Sequence, residues 1–146
     1  MALVSGKDYP EHLYYDLDNQ VWYEALADGT IRAGFTPLSI ELAGDVLVFT
    51  AKRIGRTFEA NRSFATIESG KWVGAARAAF DGTVIAANPA LEQDPKLLNK
   101  DAFGAGWMLI VRADDAGWRD RLTTGPAIGP AFAAWLAAEA YKGRDG

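Results

Sequence analysis

The chain has 146 residues, 15 basic against 19 acidic, a formal net charge of −4, no cysteine and a single histidine, His12. That length suits one domain with a real core, and an acidic balance without a basic stripe argues against nucleic-acid binding. The missing cysteines exclude disulfides and thiolate sites, and one imidazole excludes any centre that needs two.

The elements read as follows from the N-terminus. Leu13 to Leu26 is a strand-rich opening broken at Asp18-Asn19. Asp28-Gly29 signals a hairpin, from which Thr30-Ile31-Arg32-Ala33 returns. Thr36-Pro37 reads as a helix N-cap followed by proline at the first helical position, with a stop at Gly44. Val46-Leu47-Val48-Phe49-Thr50 is apolar at successive positions, a strand expected to be covered on both faces. Gly55 and Asn61 bracket a short strand at Thr57-Phe58. Ser63 to Ile67 leads up to a turn, and Trp72 to Ala79 leads away from it.

Asp81-Gly82 turns the chain into Thr83 to Ala87, which Asn88-Pro89 ends. A helical turn over Asp94 to Asn99 and a Gly104-Ala105-Gly106 loop precede a last strand, Trp107 to Val111. The tail predicts two helices, Asp114 to Leu122 and a second from Gly129-Pro130. The second carries Phe132, Trp135, Leu136 and Ala140 on one stripe, with Gly143 as its stop. Short strands with frequent turns predict a mainly β core over about residues 13–112, with a helical extension over about 114–143, in one domain spanning 1–146. No apolar run approaches membrane-spanning length. Met1 to Asp8 has no signal-peptide core, so a cytoplasmic location is expected.

The stretch Thr66-Ile67-Glu68-Ser69-Gly70-Lys71-Trp72-Val73 reads as two strands meeting at a two-residue turn. Gly70 is expected at φ > 0, as a type II′ turn requires, with Lys71 beside it and its amine in water. Such a lysine is either a solvated turn residue or a site for covalent attachment of a cofactor. With no histidine pair, cysteine or nucleophile elbow available, a group other than the chain's own side chains is expected to react.

Across about Gln20 to Trp107 the sequence resembles the glycine cleavage system H proteins, a family of lipoyl carriers. The family's Gly-Ile-Thr and Leu-Gly-Asp correspond to Gly34-Phe35-Thr36 and Ala43-Gly44-Asp45, and its Glu-Ser-Val-Lys-Ala to Glu68-Ser69-Gly70-Lys71-Trp72. Asn88, Leu91, Asp94-Pro95, Asn99, Asp101, Gly104 and Gly106-Trp107 complete the match. The resemblance implies a barrel-sandwich hybrid fold and lipoic acid joined to Lys71 as a neutral amide. It also implies recognition by a lipoate-protein ligase or another lipoate-attaching enzyme through Glu68, Gly70 and Trp72. It implies a carrier rather than an enzyme: the cofactor holds the chemistry, and the protein presents it.

Where the family commonly reads His-Glu-Trp, this chain has Gln20-Val21-Trp22. With Gly70 and Trp72 flanking the lysine, Glu68 through Gly74 resembles another branch. These are the lipoate-binding proteins of the sulfur-oxidising heterodisulfide-reductase-like system. That branch implies an arm carrying sulfur intermediates, with the heterodisulfide-reductase-like complex as partner. The alternatives are the glycine cleavage enzymes with an aminomethyl cargo, and an unmodified binding protein. Biotin is disfavoured because neither neighbour of Lys71 is methionine. Arg53, Arg56, Arg62 and Arg77 are read as solvated or as approaching an anionic sulfur group, and His12 as a surface residue.

Overall fold

The computed structural model describes residues 2–145, with side chains through residue 139. The protein is mainly β, with short helices inserted between strands and a longer helix at the C-terminal end. The N-terminal strands β1 (Ala2–Val4) and β2 (Lys7–Tyr9) form a hairpin of their own. It turns at Ser5 and Gly6, both at positive φ, 50° and 80°. This hairpin lies outside the 13–112 core expected from the sequence. Its Ser-Gly turn between alternating strand residues was its only local signal.

Seven strands make one antiparallel sheet. They are β3 (Tyr14–Asp16), β4 (Val21–Ala25), β5 (Ile31–Phe35), β7 (Thr57–Phe58), β10 (Gly82–Ala87), β11 (Leu109–Ala113) and β12 (Thr123–Thr124). Their order is β12-β3-β4-β5-β11-β10-β7. A second sheet, in the order β6-β8-β9, is built from β6 (Val46–Ala51), β8 (Ser63–Ser69) and β9 (Val73–Arg77). Phe35, Val84 and Leu109 of the first sheet share one buried cluster with Phe49, Phe64 and Ile67 of the second. The Asp28-Gly29 signal holds: Gly29 sits at φ 88° and Leu26 N–H donates to Thr30 O at 2.9 Å, closing β4 onto β5.

Helix α1 (Pro37–Ala43) starts and stops where the sequence says. The Thr36 hydroxyl accepts from Ser39 N–H, Pro37 opens the helix, and Gly44 ends it at φ 83° with its N–H donated to Ile40 O. The same Asn-Pro logic makes α2 (Pro89–Gln93), where the Asn88 side chain accepts from Ala90 N–H. Asn88-Pro89 therefore both ends β10 and starts a helix. Helix α3 (Leu97–Lys100) is the short turn expected after Asp94-Pro95.

Two expectations for the tail fail. Residues 114–122 are a series of turns, not a helix. The Asp115 carboxylate accepts from Gly117 N–H at 3.0 Å, and such a local side-chain bond competes with helical pairing. Trp118 is then free to meet the rings of Tyr14 and Phe80, at 5.3 and 5.5 Å. Helix α4 (Ile128–Asp145) runs past Gly143, so that glycine is no stop. Ala140's side chain falls outside the described residues.

Phe132 on α4 is buried among the aromatic rings of Tyr9 and Tyr15, at 4.9 and 5.6 Å, so α4 locks the N-terminal hairpin to the large sheet. Among the described residues no helix is long and apolar enough to cross a membrane.

Candidate functional site

The β6-β8-β9 sheet carries the lysine. Directly paired residues share a face, so Phe49, Ile67 and Gly74 lie on one side and Val48, Glu68 and Val73 on the other. Phe49 and Ile67 are buried and define the inner face, whereas Val48, Glu68 and Val73 are exposed. Strand β6 is not covered on both faces as its apolar run suggested. An irregularity in pairing between Val46 and Val48 turns Leu47 and Val48 outward in succession.

Between Glu68 and Val73 the chain reverses in two residues, with Ser69 N–H donating to Trp72 O at 2.8 Å. Gly70 and Lys71 occupy the tip, and Lys71 is exposed. The turn is not type II′, because Gly70 does not adopt a positive φ. The Ser69 hydroxyl organises it instead, accepting from Lys71 N–H at 3.4 Å and donating to Trp72 O at 3.3 Å. Among the described residues Lys71 makes no ion pair.

The surroundings bias the direction in which that side chain leans. The Trp72 indole lies across the place where Gly74 would carry a Cβ, closing the inner side of the tip. The lysine side chain lies over Gly44: its Cε stands 2.9 Å, and its Nζ 3.6 Å, from where a Cβ on Gly44 would be. Gly44 is held from the far side of the chain. Asn99 on α3 donates to Gly44 O and accepts from Val46 N–H, both at 2.9 Å. Replacing Asn99 with alanine is expected to cost about 1–3 kcal/mol, the range for hydrogen-bond partners left unpaired. Urea unfolding measures this, and Asn99→Asp, which keeps only the acceptor, is expected to fall between the two.

Beside Gly44 opens a cleft of about 430 Å³, walled by α1, the β2 strand and residues 98–103. Its rim carries the carboxylates of Asp8, Glu41, Asp45 and Asp101 and the ammonium groups of Lys7 and Lys100. Lys7 pairs with Glu41 at 3.1 Å.

The other candidates fall as follows. Gln20 and Val21 do not face the cleft. The Gln20 amide is spent on Leu17 O at 2.8 Å and the Thr36 hydroxyl at 2.6 Å, and Val21 is in the core. Arg62 and Arg77 lie at the end of β8 and β9 remote from Lys71, where Arg77 donates to Asn61 O at 3.1 Å. Arg53 and Arg56 follow the corresponding end of β6. None of the four is placed to meet a group at the lysine tip. His12 is exposed and 3.3 Å from Glu24. Sequence reasoning missed Asn99 as a brace and Gly74 as the seat of Trp72. The aligned Asn99 and Gly74 were visible, but not what they touch.

The glycine cleavage H-protein family model matches residues 13–129. The chain belongs to that family. It is 39% identical over 116 residues to "Glycine cleavage system H protein 5" of Aquifex aeolicus, covering 77% of this chain and 78% of the relative. It is 37% identical over 136 residues to "Glycine cleavage system H protein" of Mycobacterium avium, covering 93% and 96%. The solved H protein of Mycobacterium marinum superposes with a TM-score of 0.76 at 27% identity, covering 88% of this chain and 99% of that one. Members of this family are non-catalytic components that carry lipoate covalently on a lysine. The lysine tip described above fits such a group: it is exposed, carries no competing ion pair among the described residues, and has a cleft alongside.

Proposed function

We propose that Lys71 is the lipoyl attachment site and that the chain serves the glycine cleavage enzymes as carrier of their aminomethyl group. The observation that carries this is the placement of Lys71 at the tip of a two-residue reversal in a chain of this family. When attached, lipoate supplies a disulfide that opens to two thiols on taking two electrons, one of which can hold a transferred group. The chain's own residues hold and aim the anchor. Ser69 braces the turn, Trp72 on Gly74 closes its inner side, and Asn99 fixes the Gly44 rim over which the lysine bends. The cleft beyond is lined by four acidic residues against two lysines, both of them already paired, Lys7 with Glu41 and Lys100 with Asp94, an excess of negative charge that suits an amine-bearing cargo.

A second reading is favoured by one observation. The positions aligned with the family's His-Glu are withdrawn, Gln20 into a capping network and Val21 into the core, and offer an arm nothing. That suits a carrier of sulfur intermediates for a heterodisulfide-reductase-like complex.

Reconstitution separates the two. The lipoylated protein, added to the glycine cleavage enzymes, is expected to support glycine-dependent CO₂ release. Absence of turnover, with turnover by the heterodisulfide-reductase-like complex instead, would reverse the order of the two readings.

A further inference from the structure

Arg53, Arg56, Arg62 and Arg77, which take no part at the lysine, gather with Lys52 at the opposite end of the small sheet. Lys52 N–H donates to Phe64 O at 2.9 Å, Ser63 pairs with Arg77, and Ala78 N–H donates to Arg62 O at 2.9 Å. These contacts set the end of β6, the start of β8 and the end of β9 side by side. The four arginines are exposed, and none of the five cations makes an ion pair among the described residues. Glu59, Asp81 and, across the Asn19–Asn61 contact, Asp18 border the group without pairing with it. In a chain of net charge −4, one end is thus positive.

That end is firmly built. Residues 53–56 form a turn closed by Arg56 N–H donating to Arg53 O at 3.1 Å, with Gly55 in its third position at φ 88°. Gly55 N–H donates to Val84 O at 2.8 Å and Val84 N–H to Arg56 O at 2.9 Å, which pins the turn to β10. Ile54 stands in the second position, 67% exposed, with Arg53 before it and Arg56 after. Nothing inside the protein uses that side chain. On the outer face of β6 and β8 lies a hollow of about 280 Å³, lined by Thr50, Lys52, Ser63 and Thr66 among others. Thr50 and Thr66 are paired residues, and Lys52 stands two positions on from Thr50, so one ammonium and two hydroxyls share a side. Such a set can hold a carboxylate.

We propose that this end is a docking surface for a carboxylate-rich face of a protein with which the carrier works. Ile54 makes the apolar contact, the arginines each take a carboxylate through two parallel bonds, and the hollow by Lys52 seats one acidic side chain. That the partner belongs to the system served by the arm rests on the carrier reading; the surface itself does not. Chemistry selects a protein over other polyanions. A membrane or a nucleic acid is negative throughout and would meet Asp18, Glu59 and Asp81 as well, whereas a protein face can be neutral or cationic opposite those three. Nor is there a platform for bases. Among the described residues, the one ring on an exposed large apolar side chain is Trp72, at the other end.

Position sets what the docking achieves. Strand β8 is seven residues long, so the surface lies roughly 20 Å from the lysine turn at about 3.3 Å per residue. A partner held here leaves Lys71 uncovered, and the arm stays free to enter active sites while the carrier is bound.

The test is calorimetric titration of the unlipoylated chain with each purified glycine cleavage enzyme and with the heterodisulfide-reductase-like complex, at low and at high salt. One of these proteins is expected to bind, more weakly as salt rises. Arg53→Ser with Arg62→Ser is expected to lower that affinity about tenfold, and so is Ile54→Ser, the scale of interface anchors. Neither arginine side chain makes a hydrogen bond or ion pair among the described residues, so the variants are expected to melt with the parent. Leu3→Ser, a comparably exposed change on the N-terminal hairpin, is expected to bind as the parent chain.

Binding by none of these proteins, or by the double arginine variant at parent affinity, would overturn the inference. So would stronger, arginine-dependent binding to phosphatidylserine vesicles or to duplex DNA, which would make the partner a membrane or a nucleic acid. A parent chain that sediments as a dimer which the double variant splits would overturn it too, since the partner would be a second copy. The titrated chain carries no lipoyl group, so failure of acylation refutes the carrier reading and is distinct from any of these results.

Discussion

Expression of the Lys71→Arg variant with lipoate and a competent ligase is expected to yield only the unmodified mass, where the parent chain gains one lipoyl group. Arginine keeps the length and the positive charge of the side chain. Its guanidinium stays protonated at any accessible pH and supplies no free lone pair to attack an activated acyl group. The fold is expected to be indifferent. Lys71 is exposed, makes no ion pair among the described residues and buries little, and changes at such positions shift stability by roughly 0.5 kcal/mol or less. A variant that still acquires the adduct would move the site to another lysine. One that melts far below the parent would show the side chain to be part of the packing. Intact mass and a thermal melt on one sample answer both questions.

The largest effect on stability is expected from Trp22→Ala, at about 3–5 kcal/mol. Trp22 is fully buried, and its indole N–H donates to Ala102 O at 3.1 Å. Its ring lies flat on Gly34, its partner on β5, with ring atoms 2.5 Å from where a Cβ there would sit. Truncation removes a large core side chain and also frees residues 101–103, one wall of the cleft. Gly34→Ala attacks the same contact from the other side and is expected to cost about 1–3 kcal/mol through overpacking. Urea unfolding followed by far-ultraviolet circular dichroism measures both. A cost below 1 kcal/mol for Trp22→Ala would mean that the ring is not the keystone its burial implies. The two changes share one contact, so their effects are not expected to add.

Much of this arrangement was legible in the sequence because its signals are local. Asp28-Gly29, Thr36-Pro37 with Gly44, and the lysine turn each depend on residues within a few positions of one another, and each stands where expected. The failures share a cause as well. Gly70 read as a φ > 0 glycine because glycine before a turn lysine usually is, whereas the Ser69 hydroxyl supplies the reversal here. Residues 114–122 have helical spacing, but Asp115 and the rings around Trp118 draw them into turns. Strand β6 read as doubly buried because composition does not reveal a shift in pairing. Asn99 reaches 53 and 55 positions back to Val46 and Gly44, a separation no local pattern encodes. The row Val48–Glu68–Val73 exists only once three strands are in register.

The brevity of the Lys71 reversal has a mechanical consequence. Two residues clamped between paired strands give the anchor no slack, so any tether mounted there sweeps a region centred on a fixed point. Its radius is set by the tether and not by a wandering loop. Partners served in turn must therefore present their openings on one common arc around that point. Lengthening the turn by even a few flexible residues would blur the arc and dilute the effective concentration at every stop along it.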